Sequence, residues 1–133
     1  MALLAYIQPT YFAATSSGLI DTAFSLAFQK NQPGPVKISW EDYRGGIFGT
    51  ASSSACIYRV YIDGTIVGGH RRMNVYGAST MVEDWGTFTF FAPSVAAGAH
   101  TVSVTFQSNF GASCLVGGGT GNPNGSTLLV EGY

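Results

Sequence analysis

The chain has 133 residues, 18 of them glycine, with 46% hydrophobic and only 10% charged residues, against roughly 25% charged in a typical soluble domain. That length holds one core, and residues 1–133 read as a single domain with no room for a second. The net charge of −1, with Arg71-Arg72 as the only basic pair, excludes a basic stripe for nucleic acid or an anionic membrane, and a surface this sparsely charged has two readings, burial in an oligomer or a neutral surface rich in Ser, Thr, Asn and Gly.

Period-2 alternation with β-branched and aromatic residues recurs from end to end, and no ten-residue stretch combines helical period with capping, so the expected class is all-β. The first predicted strand is Leu3–Gln8. Met1 to Ile7 superficially suggests a signal peptide, but no Lys or Arg precedes Lys30 and the apolar stretch ends at Gln8-Pro9. No apolar run reaches the roughly 18 residues needed to span a bilayer, so no membrane partner is expected. Met1, Ala2, Leu3 and Leu4 are placed at the extreme end of the chain, where a subunit could donate a strand to a neighbour.

Tyr11–Ala14 and Leu19–Lys30 follow, the latter also suiting a helix through Ala23, Leu26 and Ala27. After a turn at Asn31–Pro35, Val36, Ile38 and Trp40 alternate with Lys37, Ser39 and Glu41 along Val36–Asp42, the pattern of a strand with one wet face. A break is expected at Arg44-Gly45-Gly46. It leaves Tyr43, Arg44, Ile47 and Phe48 in a loop as contact candidates, because Ile-Phe between glycines has no obvious core partner.

Cys56–Asp63 places Cys56 on the face of Tyr58, Val60 and Ile62. Asp63-Gly64 is a two-residue hairpin signal with the positive-φ positions of a type I′ turn. Thr65–Val67 and Arg72–Tyr76 are read as two short strands, with His70 in a solvated or interface cluster beside Arg71 and Arg72. Thr87–Ala92, His100–Ser108, Ser113–Val116 and Ser126–Glu131 complete the set, with the loop at Gly117–Gly125 before the last strand. His100, just after Gly98, is expected to bond across its turn.

Two readings stand for Cys56 and Cys114: buried free thiols, the default, and a single disulfide joining two strands. No nucleophile elbow or triad spacing is present, neither histidine lies in a ligand-spaced cluster, and the glycine run lacks the lysine of a phosphate loop. No catalytic residue, metal ligand or cofactor is therefore assigned. Glu41-Asp42 and Glu83-Asp84 could suggest a glycosidase dyad, but neighbours on a strand point to opposite faces. Trp85, Tyr76 and Trp40 are candidate stacking platforms for a sugar, against core packing as the plainer role.

The segments Tyr58–Thr65, Asp84-Trp85-Gly86-Thr87, Ala97–Phe106 and Ser126–Tyr133 resemble those of small jelly-roll modules in tailed-phage virions, both capsid decoration proteins and tail or fibre domains. They are also similar to jelly-roll carbohydrate-binding modules. The resemblance implies an antiparallel β-sandwich of jelly-roll type. It further implies a non-enzymatic cement protein on the capsid surface, made in the host cytoplasm, forming a homotrimer and binding the major capsid protein or another virion protein. The alternative it implies is a carbohydrate- or receptor-binding module with a glycan as ligand.

Overall fold

The alternating segments form strands, and the strands stack into two antiparallel sheets. The computed structural model describes residues 1–8, 12–15, 20–49, 54–73, 80–109, 112–117 and 127–133; side chains at 12–15, 21, 24, 43–49, 72, 73, 80–85 and 115–117 lie outside that description. The strands are β1 (Ala2–Ile7), β2 (Phe12–Thr15), β3 (Ile20–Lys30), β4 (Gly34–Gly49), β5 (Ala55–Ile62), β6 (Thr65–Met73), β7 (Thr80–Val95), β8 (Gly98–Asn109), β9 (Ser113–Gly117) and β10 (Thr127–Gly132). One sheet runs β1-β10-β4-β9-β2 with β7 on the other side of β4; the second runs β3-β8-β5-β6. The fold is a jelly-roll β-sandwich.

Alternation decides which side of each strand is buried. Along β5, Cys56, Tyr58, Val60 and Ile62 face inward while Ile57, Arg59 and Tyr61 are only partly covered. Val102, Val104 and Phe106 on the neighbouring β8 extend that layer, and Val36, Ile38 and Trp40 on β4 with Leu128 and Val130 on β10 supply the facing one. Each such side chain contributes about 1.5–3 kcal/mol when fully withdrawn from water.

The segment 20–30 is strand and not helix. Its pairing with β8 satisfies the backbone, and a bulge between Thr22 and Phe24 absorbs Ala23. The predicted break at Arg44-Gly45-Gly46 is instead a bulge inside a continuous β4, where Tyr43 and Arg44 together oppose Trp85 of β7. Ile47 and Phe48 are therefore not loop residues, because their backbone is paired to β7 on one side and β9 on the other.

The two short strands expected after Thr65 are one, β6, which continues through Gly68-Gly69. A Cβ on Gly69 would overlap the Tyr58 carbonyl and one on Gly68 the Phe90 ring, so these glycines let neighbouring strand and sheet approach instead of ending the strand. Leu19, Tyr76, Gly118 to Gly125 and Ser126 lie outside the described residues.

The cysteines are not free thiols. Cys56 and Cys114 form a disulfide linking β5 of one sheet to β9 of the other, with both residues fully buried.

Lys30 is the other unusual core member, only 1% exposed. Its ammonium donates to the backbone oxygen of Tyr133 at 3.0 Å and to the Pro35 carbonyl at 3.4 Å, which offsets the cost of withdrawing a cation from water. Gly132 makes room for this arrangement: a Cβ there would meet Leu4 Cδ1 at 2.9 Å, the Pro35 carbonyl at 3.1 Å and Lys30 Nζ at 3.3 Å. At the surface, Lys37 and Glu131, direct cross-strand partners on β4 and β10, form an ion pair at 3.3 Å.

Candidate binding groove at the Asp63 hairpin

The β5–β6 connection is two residues long, and both carry the positive φ of a type I′ turn, 49° at Asp63 and 79° at Gly64. This geometry turns the Asp63 side chain back toward β8. Its Oδ1 accepts from the Thr101 backbone N–H at 2.8 Å, and the Asp63 N–H donates to the Thr101 carbonyl at 2.9 Å. Its Oδ2 lies 2.6 Å from His100 Nδ1, whose other nitrogen, Nε2, is 3.0 Å from the Ala96 carbonyl.

His100 thus bonds across the turn as its position predicts, and joins two turns in doing so. The hydrogen bond to Asp63 raises the His100 pKa above 6.5, opposed by partial desolvation and by the charge of Lys30. The bonds from His100 and Thr101 hold the Asp63 carboxyl below 3.8. The ring of Phe28, 5.4 Å from the imidazole between centroids, closes one side.

A groove of about 490 Å³ opens next to this pair, where β6 and β7, outer strands of opposite sheets, part. Asp63, Thr65 and Ile66 line one side, Phe91 to Ala96 the other, and His100 the end. Phe91 is 60% exposed and Ile66 57%, so the rim presents two large apolar side chains to water beside a half-exposed carboxylate. The register partner of Phe91 is Lys37, on the outward face of the sheet. A second hollow of about 480 Å³, lined by Leu4, Phe28, Gln29 and Thr101, shares Asp63 and His100 with the first.

Of the residues nominated from sequence, Leu4 lines the second hollow. Trp40 is not a stacking platform: it is fully buried and packs against Tyr58 and Phe88 at 5.5 and 5.6 Å. Tyr76 lies outside the described residues; Trp85 is on β7, with its side chain outside that description, as are those of Tyr43, Arg44, Ile47 and Phe48. His70 is not solvated: its ring stacks on Phe88 at 3.7 Å and on Tyr58 at 4.7 Å. Met1, just before β1, and Ala2 and Leu3 on it are exposed, while Leu4 packs against the core.

Sequence reasoning overlooked Phe91 and Ile66. The available signal was local: on β7 the outward positions Thr87 and Thr89 are polar, and the next outward position is an aromatic.

Neither a protein-family model nor a curated protein matches the sequence. Solved structures do resemble the fold. A family GH115 4-O-methyl-α-glucuronidase is similar with a TM-score of 0.52 at 6% identity, over 100% of this chain and 18% of its own. The VP2 subviral particle of infectious bursal disease virus is similar with a TM-score of 0.50 at 17% identity, over 96% of this chain and 36% of its own. A family 35 carbohydrate binding module from Clostridium thermocellum aligns over 97% of this chain and 99% of its own at 8% identity, with a TM-score of 0.47. At such identities the likeness is one of fold.

Proposed function

We propose that the chain is a non-catalytic jelly-roll binding module whose ligand is a glycan held at the groove beside Asp63. The observation that carries this reading is the pairing of an exposed aromatic, Phe91, with an exposed carboxylate, Asp63, across one groove. A sugar ring presents apolar C–H faces and hydroxyl edges, and so suits an apolar rim with a few fixed polar groups. Asp63 Oδ1 accepts from the Thr101 N–H and Oδ2 from His100, and a carboxylate oxygen has a second lone pair to offer a hydroxyl donor. The carboxylate is already fixed by its own turn, so a ligand need not order it.

A glycan array probed with wild-type protein and with Phe91→Ala tests the reading. Saturable binding of one glycan class, lost in the variant, is expected; no binding across the array would remove it.

A virion structural role is the second reading, favoured by β1. This outer strand and its flank expose Met1, Leu3, Tyr6 and Tyr133 at 46–59%. A strand edge that pairs with no other described strand and carries outward apolar side chains is suited to docking against another protein, such as a capsid subunit or a further copy in a homotrimer. Light scattering together with co-sedimentation on undecorated capsids tests it, and a monomer that stays in the supernatant would exclude it. The buried disulfide is at home in an oxidising setting, which suits either role outside the cytosol.

A further inference from the structure

His100 meets two oxygens with its two ring nitrogens: the Asp63 carboxylate at Nδ1 and the Ala96 carbonyl at Nε2. Both are acceptors, and a neutral imidazole carries a single N–H. Only the imidazolium can donate to both. When the proton leaves, the Nδ1–H tautomer keeps the carboxylate, and the Nε2 lone pair is left facing the Ala96 carbonyl.

Ala96 closes the β7–β8 turn, and Pro93 to Ala96 form one wall of the groove, while Asp63 and Thr65 form the other. The imidazolium therefore ties the two walls together. We propose that His100 is a positioning residue for the groove, clasping the Asp63 hairpin and the Ala96 turn as the imidazolium and releasing the Ala96 wall when it becomes neutral. The proposal rests on the groove being the ligand site, and it makes ligand binding stronger on the acid side of the His100 transition.

Two charged groups of the described residues face the ring. From the β5–β6 turn comes Asp63, in direct contact, and from the end of β3 comes Lys30, which acts through its charge and opposes protonation. From β3 Phe28 adds only its ring, and from the β7–β8 turn Ala96 adds only its carbonyl. The carboxylate in contact outweighs the lysine, so the two-donor state extends above the ordinary histidine range.

The test needs no ligand, so it stands apart from the glycan array. In ¹⁵N/¹³C-labelled protein, the ring nitrogens of His100 and the carbonyl carbon of Ala96 are followed by NMR against pH, together with the exchange protection of the Gly98 amide. The expected result is one shared transition above pH 6.5, across which Gly98 protection, corrected for intrinsic exchange, falls about two- to tenfold, as loss of one net hydrogen bond predicts. In Asp63→Asn the transition moves to lower pH, and in His100→Gln it disappears. An Ala96 carbonyl that does not move with the ring, or a wild-type transition left in place by Asp63→Asn, would overturn the proposal.

Discussion

Cys56 on β5 and Cys114 on β9 are bonded across the sandwich, 58 residues apart in sequence and 5.6 Å apart between Cα atoms. The bond closes a long loop, which restricts the unfolded chain far more than the folded one. Replacing both cysteines by alanine is expected to cost about 2–4 kcal/mol of unfolding free energy. Denaturant titration checks this, with the reduced wild-type protein as a second comparison.

Gly69 and Gly86 make a paired test of glycine spacing. A Cβ at Gly69 would run into the Tyr58 backbone carbonyl, which cannot move without breaking the β5–β6 ladder. At Gly86 the nearest atom is the tip of the Phe88 ring at 3.1 Å, which can give. Gly69→Ala is therefore expected to destabilise by about 1–3 kcal/mol or more and Gly86→Ala by clearly less, measured by thermal and chemical unfolding.

Lys30 is a buried cation whose bonds are to backbone oxygens of Pro35 and Tyr133. Lys30→Ala leaves both oxygens without this donor and opens a cavity, with an expected loss of about 2–4 kcal/mol. Lys30→Met retains most of the volume and should recover part of that loss; equal losses in the two variants would show that the ammonium carries the effect.

The fold was legible wherever alternation was strict. β5, the inward face of β8 and the first half of β4 followed from period 2 alone, and the Asp63-Gly64 dipeptide specified its turn. Glycine was the misleading signal: Gly45-Gly46 and Gly68-Gly69 suggest breaks, yet in a sandwich the same residues admit a bulge or a close approach of strands, a fact of tertiary packing that local sequence does not carry. The groove was half legible. The turn and the crossing bond of His100 followed from position, whereas Phe91 and Ile66 join the site only because β6 and β7 end up as neighbouring outer strands of opposite sheets. The buried Trp40 shows the converse, since its inward register placed it in the core.

Stability should depend on pH through the Asp63–His100 pair. His100 has a raised pKa in the folded state, so its contribution is complete below 6.5 and is lost as pH rises through the folded value. Asp63 has a lowered pKa, so its contribution is complete above 3.8 and is lost as pH falls through the folded value. The pair is at full strength between 3.8 and 6.5, and since the carboxylate is half exposed its worth there is under about 1 kcal/mol. His100→Gln should flatten the alkaline limb in a series of denaturation curves and shrink the acid limb as well, because the His100 bond is the largest cause of the lowered Asp63 pKa.

The glycan-binding account is tested most directly by mapping the backbone amide shifts of labelled protein titrated with the strongest glycan from the array. The account predicts saturable shifts concentrated at residues 62–67, 91–96 and 100, with affinity reduced at least about tenfold in Phe91→Ala, equivalent to 1.4 kcal/mol. Shifts confined to β1 and β10, or none at any glycan concentration, would contradict it.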